Sequence, residues 1–289
     1  MPGDMVVASA LGAAMLYAVA AVLQQRAAST APVERSLRLG LLAYLISRPL
    51  WLLGAAADVT AFGLQFWALD HGSLVLVQPL LVSGLLFALP LGAVLSRSRL
   101  RPADWLGSAL VVTGLSVFLV VANPDRGRAD ASTGAWLLLG AATAVPVALC
   151  VWAAGRAPGP RRAAFLSAAA GIVYGVTAAI TKSAAHLLDL GFTHAALSWK
   201  PYVGICLGIG GMVMDQSAYQ AGPLASSLPA LTVADPVVSI IIGAVLFEEG
   251  VEIAHGAPMV EAMALIVMVV GVFVLARSPL VISLDESEA

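Results

Sequence analysis

Charge is what this chain has least of. Only 11% of its 289 residues are Asp, Glu, Lys or Arg, against 60% hydrophobic, and the mean hydropathy is +0.93. A soluble domain with so little polar surface would aggregate, so the composition makes lipid the natural solvent. The formal net charge of −2 supplies no basic surface and argues against nucleic acid as a partner. Cysteine is nearly absent: Cys150 and Cys206 both fall in apolar runs and read as small buried residues, with neither a disulfide framework nor metal-ligand spacing. A Gly-rich phosphate loop, a Ser/His/Asp set, HExxH and HxxxH are all missing. No enzyme is therefore expected, and no cofactor.

What the chain does have is long apolar runs. They fall at roughly 5–24, 49–70, 73–96, 103–122, 133–155, 163–187, 201–221, 223–247 and 259–277. Each can cross about 30 Å of hydrocarbon as a helix, which predicts an all-α polytopic membrane protein of about nine transmembrane helices. The stretch Ser36 to Ser47 is apolar but too short to cross, and is expected to form an interfacial or linking helix. The N-terminal MPGDMVV has no basic region, so the first span is expected to be retained rather than cleaved.

The sequence also repeats itself. YAVAAVLQQRAA from Tyr17 is echoed by YGVTAAITKSAA from Tyr174, GSLVLVQPL from Gly72 by GPLASSLPA from Gly222, and GAVL recurs at Gly92 and Gly243. Three matches in one order predict a duplication: repeat one at 1–122, a linking helix at 123–162, repeat two at 163–279, and a cytoplasmic acidic tail at 280–289. Five crossings precede the second copy, so the two four-helix repeats are expected to be inverted, with one helix between them.

Basic residues orient the chain. Arg26, Arg35, Arg38, Arg48, Arg97, Arg99, Arg101, Arg156, Arg161, Arg162 and Arg277 share one side, against Arg126, Arg128 and Lys200 on the other. The positive-inside rule places the larger set in the cytoplasm, the N-terminus outside and the C-terminus inside. All six tryptophans lie near span ends and read as interfacial anchors. Acids such as Asp130, Glu248 and Glu249 give the outer side an acidic character. Arginine outnumbers lysine thirteen to two, which with the alanine content suggests a GC-rich bacterial genome and a plasma-membrane location.

A long helix ending in a Gly turn and then a helix with an early proline occurs twice, the second copy reaching an acidic end at Glu248 and Glu249. WLLGAAADVTAFGLQFWALDHGSLVLVQPLL is one copy, and YVGICLGIGGMVMDQSAYQAGPLASSLPALTVADP the other. This pattern resembles the drug/metabolite transporter (EamA-like) superfamily. Nine spans, the extra central helix and LQQRAAS after span 1 look most like its NIPA-type magnesium transporter branch. The resemblance implies a secondary transporter working by alternating access. Gln65-Phe66 stands at the family's Asn-Phe pair, and Gln24, Gln25 and Arg26 at its lysine-rich end to span 1.

Ionisable groups inside spans are expensive unless paired or facing water, so they mark the candidate site. Asp58 and Asp235 are expected near the midplane in opposite repeats and are the best pair for a cation such as Mg²⁺, a hard ion that takes oxygen ligands, or for a proton relay. Asp215, Lys182, Gln24 and Gln65 complete the polar set, with Tyr17 and Tyr174 as phenolic hydrogen-bond donors. The bland alternative is a structural ion pair between Lys182 and one of the aspartates. Pro236 after Asp235 removes a helical hydrogen bond beside the carboxylate. Small residues, Gly208, Gly210 and Gly211 on one span and Ala168, Gly171 and Gly175 on another, are expected to pack helices closely. The expected partners are the bilayer and a small ion or metabolite, and a homodimer is compatible with the pattern. Other readings are an exporter of small organic metabolites or drugs, and a non-transporting scaffold or lipid-handling protein.

Overall fold

A computed structural model describes residues 2–87, 91, 102–122, 127–222, 224–249 and 257–276. The GAVL of repeat one, Arg97 to Arg101, Arg126 and the acidic tail lie outside them. Among the described residues the chain is all-α, with eleven α-helices where nine spans and one short helix are expected. They are α1 (Pro2–Ala28), α2 (Leu39–Leu45), α3 (Pro49–His71), α4 (Leu74–Val82), α5 (Pro102–Ala122), α6 (Thr133–Ala154), α7 (Gly159–Asp189), α8 (Phe192–Leu197), α9 (Lys200–Ala221), α10 (Leu224–Leu246) and α11 (Ala257–Ala276). The two shortest, α2 and α8, cannot cross a bilayer; α2 fills the stretch expected to form a linking helix. Helical structure resumes at 84–87, just after α4.

Helix starts follow local chemistry. Ser73 caps α4 by accepting from Leu76 N at 3.1 Å, and Ser132 caps α6 by accepting from Ala135 N at 3.3 Å. Pro49 opens α3, where its missing N–H is harmless.

Asp4–Ala28, Pro49–His71, Thr133–Ala154 and Gly159–Asp189 are long and apolar enough to cross a membrane. Large apolar side chains point outward along them and their neighbours, among them Leu53, Val59, Leu137, Leu138, Ile205 and Val245. Water would penalise such a surface and lipid would not, so the fold is compatible with a membrane-embedded protein.

The main helix pairs are α1 with α3, α7 with α9, α7 with α10, and α5 with α11. Further contacts join α3 to α7, α1 to α9 and α4 to α10. Close approach of α7 to α10 depends on glycine: a Cβ at Gly171 would lie 2.8 Å from Ala234 Cβ, and one at Gly175 would lie 3.0 Å from Asp235 O. The expectation for α9 is only partly met. Gly208 and Gly210 have no neighbour within 4 Å of a built Cβ, whereas Gly211 faces the ring of Tyr174.

The tryptophans also divide. Trp105 and Trp152 are exposed like anchors, but Trp51 and Trp136 are buried. The Trp51 indole donates to Gln216 Oε1 at 3.2 Å, an inward task rather than an interfacial one.

Candidate functional site

Helices α1, α3, α4, α7, α9 and α10 enclose a cavity of about 430 Å³. Each helix brings a polar side chain to it, since one to three amides, acids or hydroxyls of each otherwise apolar run line it. Seven of the eight site residues read from the sequence line it: Tyr17 and Gln24 from α1, Asp58 and Gln65 from α3, Tyr174 from α7, Asp215 from α9 and Asp235 from α10.

Hydrogen bonds order much of this lining. Tyr17 donates to Gln65 Oε1 at 2.6 Å. Trp51 donates to Gln216, whose Nε2 donates to Gln24 Oε1 at 2.6 Å, and Gln24 Nε2 donates to Asp58 Oδ2 at 2.5 Å. Every donor in that chain points toward the Asp58 carboxylate, which polarises each bond in the same sense. Ser239 Oγ donates to Asp235 Oδ1 at 3.2 Å, one helical turn away. Asp215 bonds Tyr219, also one turn on, while its Oδ1 is buried without a partner. Pro236 leaves the Thr232 carbonyl without its helical donor, although α10 continues unbroken through Leu246.

Among the described residues, three Asp side chains and no Lys, Arg or His line the cavity. Lys182, the one cation expected there, faces elsewhere. Its Nζ lies 2.5 Å from Glu249 Oε1 and 4.7 Å from the centre of the Phe247 ring. The structural ion pair therefore exists, but with Glu249 in place of an aspartate. Glu249 also accepts from Leu74 N and Val75 N at 2.8 Å each, so it anchors the start of α4. Nearby acids are likewise engaged: Glu248 pairs with Arg128 at 2.9 Å, and Asp130 with Lys200. Burial works to raise the Asp130 pKa, yet hydrogen bonds from Lys200, Ala131 N–H and Trp136 outweigh it and hold the carboxyl below its usual range.

Two cavity amides escaped sequence reading. Gln216 bridges Trp51 and Gln24, and Gln78 is 1% exposed with neither amide atom partnered. An unpartnered buried amide is costly to leave, so water or a ligand is its natural complement. Among the described residues no three His, Cys, Asp or Glu side chains converge as a metal centre. A metal entering here would keep water in its coordination shell, the usual habit of Mg²⁺.

No family model matches this chain, and no solved structure matches it. An uncharacterized protein of Corynebacterium glutamicum is 30% identical to it over 274 residues, which make up 93% of each chain. At that identity over nearly the full length of both, the chain belongs to the family of this corynebacterial protein.

Proposed function

We propose that this protein is a secondary membrane transporter for a cationic substrate, with a hydrated divalent cation such as Mg²⁺ as the foremost candidate. The carrying observation is a cavity between helices from both halves that holds Asp58, Asp215 and Asp235 and no basic side chain. Unpaired charges in an apolar surround are retained for function far more often than for stability. Gln24 orients Asp58 and Tyr219 bonds Asp215, while Gln65, Tyr17 and Tyr174 can bond the water shell of an ion.

Helix pairing supports two inverted four-helix repeats. If α1, α3, α4 and α5 correspond to α7, α9, α10 and α11, then the contacts α1–α9 and α3–α7 exchange under the symmetry. The pairs α4–α10 and α5–α11 map onto themselves. A site enclosed by both halves suits alternating access, in which one repeat rocks against the other around it. A resemblance to NIPA-type carriers points the same way. The apolar part of the wall, including Phe62, Leu85 and Met212, favours an organic cation as the second reading.

The test is uptake of a series of divalent metals and organic cations into proteoliposomes. Cation flux in the native protein, lost in Asp58→Asn and Asp235→Asn variants that still insert, is the expected result. No flux of any cation would overturn the proposal.

A further inference from the structure

The shoulder between α1 and α3 carries arginines with no acid to meet them. Arg35 and Arg48 set their guanidinium carbons 5.0 and 4.6 Å from the centre of the Tyr44 ring. Arg48 also donates to the Tyr44 hydroxyl, which in turn donates to Thr30 O at 3.2 Å. From α7, Arg162 reaches the same segment and donates to Ser36 Oγ at 3.1 Å. Among the described residues the ion pairs are formed by other groups, and Glu34, next to Arg35, takes part in none. One aromatic ring thus gathers two cations that repel one another, with no anion of the protein between them.

The surroundings indicate what the missing anion is. Leu39 is 67% exposed and Ile46 56%, so exposed apolar side chains stand within four residues of these arginines in the chain. Cations beside exposed aliphatic groups, where one apolar helix ends and the next begins, match the boundary between lipid headgroups and acyl chains. Tyrosine is at home at that depth, with an apolar ring and a polar tip. A soluble anion would leave the leucine and isoleucine in water, whereas a lipid covers both features at once.

We propose that Arg35, Arg48 and Tyr44, with Arg162 beside them, form a binding site for the headgroup of an anionic phospholipid. Its phosphate bridges the guanidiniums and its acyl chains lie along Leu39 and Ile46. The proposal requires only that the protein sits in a membrane, and does not depend on transport.

The test is thermal unfolding of the intact protein in neutral detergent micelles with added phosphatidylglycerol, phosphatidylcholine or inorganic phosphate. Phosphatidylglycerol should raise the midpoint in a saturable way, and the other two should not. Arg35→Gln/Arg48→Gln should raise the lipid concentration needed by roughly thirtyfold, the combined effect of two interfacial cations. Arg35→Gln alone, an exposed position, should raise it by about fivefold if the double variant folds poorly. Arg128→Gln removes the same charge from the opposite side and should leave the response unchanged. Equal shifts with phosphatidylcholine or phosphate, or a native response in the Arg35 and Arg48 variants, would overturn the site. Equal loss in Arg128→Gln would reduce it to net charge and overturn it as well.

Discussion

Breaking the Lys182–Glu249 pair should destabilise the protein unequally from its two sides. Both side chains are buried, at 6% and 0% exposure, and 2.5 Å separates the charged atoms. Removing one partner of such a pair typically costs about 3–5 kcal/mol, because the other charge is left without compensation. The structure ranks the two deletions. In Lys182→Met the Glu249 carboxylate keeps its bonds from Leu74 N and Val75 N at a helix start, where negative charge is favoured. In Glu249→Gln the ammonium loses its counter-charge, and an amide N–H₂ must face either a backbone N–H or Lys182. Glu249→Gln should therefore sit at the upper end of the range and Lys182→Met at or below the lower. At about 2 °C per kcal/mol for a chain of this size, the larger loss corresponds to roughly 10 °C in thermal midpoint. The Lys182→Met/Glu249→Gln double variant should recover part of the summed loss, since each single change already forfeits the same contact. Melting curves of the four proteins in one detergent decide it. Strict additivity, or shifts under about 2 °C, would show that the pair holds nothing together.

Gly243→Ala should damage the same element, because a methyl there would lie 2.5 Å from Glu249 Oε2 and 2.8 Å from Val75 Cγ2; a lowered thermal midpoint is the expected outcome. Asp130→Asn should lower stability at neutral pH. Because the folded Asp130 pKa is depressed, the native advantage is present above the unfolded value near 3.9 and is lost as pH falls through the lower folded value, so the two melting curves should converge only in strong acid. A cysteine at Ser29 should be shielded from an impermeant reagent in intact cells and one at Ser132 labelled, with Cys150 and Cys206 first replaced; the reverse pattern would invert the topology. Gly175→Leu should weaken the α7–α10 contact and lower the yield of folded protein, whereas the same change at Gly210, which has open space around it, should be tolerated.

Much of the site was legible because acids in apolar runs are conspicuous. Asp58, Asp215 and Asp235 interrupt otherwise hydrophobic stretches, and the cavity includes all three. Neutral amides give no such signal. Gln78 and Gln216 read as ordinary polar residues, although their positions beside Pro79 and Asp215 were the available hints. Glu249 was hidden for a different reason. It follows the end of a run, next to Glu248 and near Glu252, and so looks like part of a solvated acidic face. Its burial arises only when the segment after α10 meets the start of α4, 175 residues earlier, which no local pattern records. The helices were legible from length and hydropathy, but their pairing rests on contacts such as Gly175 against Asp235.

Lys182 and the cavity explain one another. Thr181 lines the cavity, and Lys182 is the next residue on the same helix, rotated by about 100° so that it points away. A lysine is long and flexible enough that such a rotation alone does not keep its ammonium from neighbouring carboxylates. Glu249 supplies the restraint: two backbone donors fix its carboxylate, and the carboxylate fixes Nζ over the Phe247 ring. With Lys182 held elsewhere, the cavity keeps its three acids, and among the described residues no Lys, Arg or His lines it. The same contact that anchors the start of α4 to the segment after α10 thus keeps the Lys182 ammonium off the cavity acids, an arrangement that the proposed cationic substrate requires.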